Sequence, residues 1–146
     1  MTFSIAARCP RSGQFGVAIA SSAPAAAARS AHARAGVGAV TSQNVTDPRL
    51  GPRGLDLLAD GLDAKAALGR LCDESGEEIE YRQVAVVDAK GRVACFSGVH
   101  ALGIHASAEG PGVVAAGHML AGPDIPSAML ARYSRQDQIR VGTYIA

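Results

Sequence analysis

The sequence predicts an α/β fold of the α+β kind, with antiparallel sheets and helices packed outside them. Three observations carry this. Small and apolar residues alternate with period two over Thr2 to Arg8 and again from Phe15 to Ala20. Leucines and alanines between Leu55 and Leu71 recur at helical spacing. Strand-like runs then return from Val84 to Ser97, before a last capped helical segment at Asp124. The length of 146 residues is that of one domain, and a 48% share of hydrophobic residues is enough for a core.

In chain order, Phe3, Ile5 and Ala7 alternate with Thr2, Ser4, Ala6 and Arg8 to form a first strand. Pro10, Ser12 and Gly13 supply the turn, and Phe15, Val17 and Ile19 alternate against Gly16, Ala18 and Ala20 in a second strand. Both faces of this hairpin are small or apolar, so it is expected inside the protein, covered on both sides. Ala25 to Arg34 allows a short helix, and Gly36 to about Gln43 reads as a strand. After the punctuation of Asn44, Thr46, Asp47, Pro48 and Gly51, Pro52 suits a first helical position, with Leu55, Leu58 and Leu62 behind it. Gly61 marks the stop, and Asp63 is the expected N-cap of a second helix carrying Ala64, Ala67, Leu68 and Leu71 on one face. Val84 to Asp88 and Arg92 to Ser97 flank an Ala89–Gly91 turn. A strand over Gly112 to Ala116 follows, then a helix with Asp124 as cap and Pro126 in its first turn. His100 and His105 fall in a loop-like segment.

Charge excludes several classes of function. With 14 basic and 13 acidic residues, net charge +1 and no run of either sign, no nucleic-acid surface is expected. A membrane span takes about 20 consecutive apolar residues, which this chain lacks, and MTFSIAARCP does not have the layout of a signal peptide. A cytoplasmic location is the expectation. Cys9, Cys72 and Cys95 are odd in number and widely spaced, which suits small packing residues in a reducing compartment.

The chain has no GxxxxGK[ST] loop and no GxSxG elbow, and the GxG of Gly36 and Gly38 opens a strand instead of following one. His32, His100, His105 and His118 show no paired ligand spacing, so neither a metal nor another cofactor is expected. What remains is the N-terminus. Initiator Met is normally trimmed when residue two is as small as Thr. Trimming would leave Thr2 with a free amine, whose reference pKa of about 7.7–8.0 suits a general base. One residue would then supply hydroxyl nucleophile and base together. Thr2 is equally an ordinary strand residue after Met.

The stretches MTFSIAAR, GQFGVAIASS, ARAGVGAVTSQN, DPRLGPRGLDLLADGL, RQVAVVDAKGRVACFSG and AGHMLAGPDI resemble the domain of unknown function 1028 family. Its most specific parts are Pro48 to Leu55 and Leu120 to Pro123. The resemblance implies a fold like that of N-terminal-nucleophile (Ntn) hydrolases: an αββα four-layer sandwich of two antiparallel sheets, with a pocket at the end of the first strand. Family positions matched near that pocket are Thr2, Thr41, Gln43, Arg49 and Arg53. Gln43 or Asn44 is expected to donate to a developing oxyanion or to cap the strand end. Arg49 is expected to hold a carboxylate or to brace its own loop. Thr41, Arg53 and His118 complete the substrate-binding set, although family members commonly carry Asn where this chain has His118.

The resemblance runs from Met1 to about Tyr133, giving a domain over 1–133 and a divergent tail over 134–146. The tail implies a sandwich incomplete at its C-terminal side. Ile139, Val141, Thr143 and Ile145 alternate with Arg140, Gly142 and Tyr144, which adds at most one strand. An open edge of this kind implies a homo-oligomer in which a second copy covers it. The expected function is hydrolysis of a small amide or related C–N bond, with a small molecule as partner. The alternatives are a non-catalytic ligand-binding or scaffold protein on the same fold and an inactive fragment.

Overall fold

Strand β1 (Thr2–Arg8) turns back into β2 (Phe15–Ser21), with Arg8 opposite Phe15 and Thr2 opposite Ser21. The computed structural model of the chain describes residues 1–136. After β2 come a short helix α1 (Ala26–Ser30) and strands β3 (Ala31–Arg34) and β4 (Gly38–Asn44). Helices α2 (Leu50–Ala59) and α3 (Ala64–Ser75) follow, then a 3₁₀ turn (Gly76–Tyr81). Strands β5 (Arg82–Asp88), β6 (Val93–Ser97), β7 (Ala106–Gly110) and β8 (Val113–His118) lead into α4 (Ile125–Gln136).

The strands make two antiparallel four-stranded sheets, ordered β2-β1-β8-β7 and β3-β4-β5-β6. The sheets face each other, α2 and α3 cover the outer side of the second, and α4 covers β7 and β8 of the first. The layers therefore run helix, sheet, sheet, helix. Two cores result. The larger lies under α2 and α3, where Leu55, Leu58, Leu68 and Leu71 meet Val40, Val84 and Val86. The smaller lies between the sheets, where Ala6 and Val114 meet Ala39, Ala85 and Val87. Alternation explains the split: even residues of β4 and β5 point to the helices and odd ones to the other sheet. Asp63 caps α3 as expected, its Oδ1 accepting from Ala66 N at 2.8 Å.

Several sequence expectations are corrected. The first hairpin is not covered on both sides: Gly16, Ala18 and Ala20 of β2 are exposed. Small side chains suggest burial, but among the described residues α4 packs on β7 and β8 and leaves these three exposed. The run Ala25–Arg34 is helical only to Ser30 and becomes strand β3, since pairing with β4 overrides the helix propensity of alanine. Helix α2 begins at Leu50, not Pro52, because Asp47 Oδ1 accepts from Arg49 N at 3.0 Å and starts the turn earlier. Leu62 lies beyond its end. Ala106–Gly110, between the loop-like segment of His105 and the expected strand at Gly112, is a further strand, β7. The expected alternation over 139–145 lies outside the described residues.

The four hairpin turns, β1–β2, β3–β4, β5–β6 and β7–β8, close one end of the sandwich. There Gly112 bridges the sheets, taking Arg8 N at 2.8 Å on its carbonyl and donating its own N–H to Gly91 O at 3.0 Å. The opposite end holds the connections that follow β2, β4, β6 and β8 and the starts of β1 and β5.

Candidate functional site

At that opposite end the inner faces turn polar. Register puts Ser21, Thr2 and His118 side by side across β2, β1 and β8. Facing them, Gln43, Gln83 and Ser97 stand side by side across β4, β5 and β6. Residues directly opposite on antiparallel strands point to the same side, so each trio forms one row. Between the rows and α1 lies a cavity of about 190 Å³ lined by Thr2, Ser21, Ser22, Arg29, Gln43, Asn44, His118 and Met119, with Met1 across it.

Thr2 Oγ1 shares a 2.8 Å hydrogen bond with Ser21 Oγ. The peptide carbonyl of Met1 accepts from Ser22 N at 3.0 Å and from Ser22 Oγ at 3.3 Å. The Met1 ammonium donates to Ser22 Oγ at 3.1 Å and reaches Met119 Sδ at 3.6 Å. Arg29 Nη1 donates to Pro24 O at 2.9 Å. Among the described residues no carboxylate lies within ion-pair distance of Arg29, and none lines the cavity.

Gln83 organises the wall. Its Nε2 donates to Gly117 O and to Ser97 Oγ, both at 3.0 Å. A backbone carbonyl only accepts, so the Gln83 amide is held one way round. Its Oε1 then accepts from Gln43 Nε2 at 3.0 Å and from His118 Nδ1 at 3.3 Å. This fixes two further groups. His118 carries its proton on Nδ1, which leaves Nε2 as an acceptor. Gln43 turns its Oε1 away from Gln83, and that buried oxygen has no partner among the described residues. Burial lowers the His118 pKa, and the nearby terminal ammonium and His105 lower it further, so the ring is neutral at pH 7.

Two cavity residues other than glycine take left-handed backbone, Asn44 at φ 76° and Met119 at φ 52°. Asn44 is held there by its own amide, Nδ2 donating to Tyr81 O at 2.5 Å and Oδ1 accepting from Leu102 N at 3.3 Å. Such conformations persist only where the surroundings hold them, and they gather at functional sites.

Of the seven residues singled out from sequence, Thr2, Gln43, Asn44 and His118 line this cavity. The other three do not. Thr41 lies two residues deeper on β4, sealed between the sheets at 1% exposure. Arg49 and Arg53 line a separate groove with Glu74 and Glu78. Their placement near the cavity is corrected for a physical reason: Arg49 pairs with Asp47 at 2.9 and 2.8 Å and so braces its own loop, the second of its expected roles, and Arg53 pairs with Glu74 at 2.9 and 2.7 Å and so ties α2 to α3. The Arg49 guanidinium holds the Asp47 carboxyl down at about 2.

Sequence reasoning missed Ser21, Ser22, Arg29, Gln83 and Met119. Ser21 had a usable signal, since counting back from the Cys9–Gln14 turn pairs it with Thr2. The cysteines offer no rival centre. Burial pushes the Cys95 thiol up to about 11 and raises that of Cys72. Among the described residues no group of three or more His, Cys, Asp or Glu gathers as metal ligands do. No helix of the described residues is long and apolar enough to cross a membrane.

The family model described as a family of unknown function, DUF1028, matches residues 2–143. The chain belongs to the DUF1028 family. The matched span reaches ten residues past Tyr133. The crystal structure of protein SPO2555 from Silicibacter pomeroyi, a DUF1028 member, is 26% identical and superposes with a TM-score of 0.87. The likeness covers 98% of this chain and 64% of that one, so this DUF1028 chain spans under two thirds of its relative's length. No curated protein matches it.

Proposed function

We propose that this DUF1028 protein hydrolyses a small amide or related C–N bond, with Thr2 as N-terminal nucleophile on an Ntn-hydrolase-like sandwich. The observation that carries the reading is the convergence of Thr2, Ser21, Ser22, Gln43 and His118 on one cavity at the start of β1. Removal of Met1 makes the Thr2 nitrogen a free amine beside the Thr2 hydroxyl. It also frees Ser22 N–H and Ser22 Oγ–H from the Met1 carbonyl they bond. Those two donors then stand where a substrate carbonyl oxygen can replace that of Met1, which is the requirement for an oxyanion hole.

The steps follow. Thr2 Oγ1 attacks the substrate carbonyl carbon while the Thr2 amine takes its proton. The oxyanion is held by Ser22. The C–N bond breaks as the leaving nitrogen takes that proton, leaving an acyl ester on Thr2. Water attacks the ester by the same route and releases the acid. Gln43 and Asn44 serve this reading as walls instead of first donors, since the amide nitrogen of each is engaged by Gln83 and by Tyr81 O. Neutral His118 next to Thr2 keeps a second positive charge away from the amine.

Intact mass and N-terminal sequencing of the purified protein come first, with Thr2 expected as first residue. A panel of small amides is then offered to wild type, Thr2→Ser and Thr2→Ala. Thr2→Ser is expected to keep part of the activity and Thr2→Ala none of it, with both folded. Equal rates for wild type and Thr2→Ala favour a ligand-binding protein without chemistry.

A further inference from the structure

Resting on the hydrolase reading above, we propose that the site takes an N-acyl amino acid: a small amide bearing a carboxylate on its nitrogen side and an aliphatic chain on its acyl side. Three independent features point to it. The first is Gln43 Oε1, an acceptor buried at 1% residue exposure and without a donor among the described residues. A buried oxygen left unpaired keeps its full desolvation cost, and its orientation is fixed through Gln83 by Gly117 O. It calls for a ligand N–H, which a secondary amide has and an ester lacks. The second is Arg29, a half-buried cation on a wall with no acidic residue. It calls for an anion, and a carboxylate beyond the amide nitrogen supplies one.

The third is the rim. Among the described residues, seven large apolar side chains are exposed: Met1, Val45, Tyr81, Val99, Leu102, Ile104 and Met119. Each lies just beyond a strand at the cavity end, and none lies in the turns of the opposite end. They belong to one connected set of loops. Met119 N donates to Leu102 O, Leu120 N to Ile104 O, Val45 N to Tyr81 O, and Asn44 Oδ1 accepts from Leu102 N. Contiguous exposed apolar surface of this sort marks a binding surface. The cavity volume of about 190 Å³ equals roughly six waters at ~30 Å³ each. That holds an amide head with its carboxylate and no long chain. The acyl chain must therefore leave by the rim, along Met119 and Leu102, which gives the apolar loops an occupant continuous with the cavity. Hydrolysis of such a substrate adds one water across the C–N bond and yields a fatty acid and a free amino acid.

The test uses the full chain carrying Thr2→Ala, which binds without turnover, and calorimetry with N-decanoylglycine, N-hexanoylglycine, N-acetylglycine, N-decanoylglycinamide and decanoyloxyacetate. Full burial of a methylene gives roughly fourfold tighter binding, and a one-sided rim is expected to give roughly twofold per methylene. The glycinamide, without the carboxylate, and the oxyacetate, without the N–H, are each expected to bind about tenfold more weakly. Adding Arg29→Gln removes the preference for the carboxylate and Arg29→Lys keeps it. Leu102→Ser weakens the decanoyl ligand and leaves N-acetylglycine unchanged. Equal binding of all five probes, or N-decanoylglycinamide and decanoyloxyacetate each binding as tightly as N-decanoylglycine, overturns the proposal. The two readings fail separately. If N-decanoylglycine binds as stated and wild type with Thr2 first does not cleave it, the hydrolase reading falls and the ligand class stands. If wild type cleaves other amides without regard to chain or carboxylate, the ligand class falls and the hydrolase reading stands.

Discussion

The two ends of the sandwich solve the same backbone problem with different residues. At the hairpin end each of the four turns contains one glycine with left-handed backbone: Gly13, Gly36, Gly91 and Gly112. Glycine has no Cβ to clash there, so these turns carry little strain. At the cavity end Gly103 takes the same conformation, but so do three residues with side chains, Ala25, Asn44 and Met119. Their side chains add strain of order 1–3 kcal/mol each, less for Asn. The inner faces differ in the same sense. Toward the hairpins they carry Ala6, Val87 and Val114, and toward the cavity Thr2, Gln43, Gln83 and His118. One end is built for stability, and the other gives up stability to hold polar groups in fixed orientations.

Substitutions at matched depths break the comparison most strongly. Thr2→Ala is expected to lower amide turnover by about three orders of magnitude or more, with little change in the thermal midpoint. Val87→Ala, at 0% exposure, is expected to cost about 2 kcal/mol in denaturant titrations and to leave turnover within about twofold. Reversed outcomes would mean that the ends do not divide the work.

Gln83→Leu comes next. It leaves Gln43 Nε2, His118 Nδ1, Ser97 Oγ and Gly117 O without their shared partner. A loss of about 2–4 kcal/mol is expected, measured by urea unfolding. A loss below about 0.5 kcal/mol would show that water replaces the side chain and that the Gln43 oxygen is not held.

Backbone strain gives a smaller, signed pair. Gly36 (φ 74°) has nothing within 4 Å of an added Cβ, so Gly36→Ala tests conformation alone and is expected to cost about 1 kcal/mol. Met119→Gly is expected to gain up to about 1 kcal/mol. It should also weaken binding of long-chain ligands. Equal signs for the two would remove the contrast in strain.

The smallest effect is in pH. His118 at one end and Asp88 at the other both have folded pKa values below their ordinary 6.5 and 3.8. For His118 the causes are burial and the neighbouring ammonium. For Asp88, burial pushes the carboxyl up, but bonds from Arg92, Lys90 and Ala64 outweigh it. In each case the unfolded chain binds the proton first as pH falls. The stability linked to His118 is present above about 6.5 and declines as pH drops through its lowered folded value. That linked to Asp88 declines only below about 3.8. Unfolding free energy measured from pH 8 to 3 should therefore fall in two separated steps, and His118→Asn should delete the upper one alone.

The strand patterns, the two outer helices and the Asp63 cap are legible in the sequence because each follows from local periodicity or local hydrogen bonding. Strand β3 is not, because Ala31–Arg34 is alanine-rich and becomes extended only by pairing with β4. Thr2 and Gln43 are legible as strand-end polar residues. Gln83 is not, since a glutamine among the valines of β5 gains its role only when β8 brings Gly117 and His118 against it. Arg49 takes one of its two expected roles, bracing its own loop, but its distance from the cavity and that of Arg53 were not legible. Arginines close to a pocket in sequence look like ligand holders, whereas Asp47 and Glu74 had already engaged them.

The bond from Gln83 to Gly117 O has an evolutionary side. Two side-chain amides and an imidazole take their direction from a main-chain carbonyl, and a carbonyl is encoded by no particular codon. Point mutation can replace Gln43, Gln83 or His118, but it leaves the acceptor at position 117 in place as long as β8 keeps its register. A descendant that put Asn at 118 or another amide at 43 would meet the same fixed reference, and would have its polarity chosen for it. Selection can thus vary what the wall recognises without having to rebuild the direction in which it points.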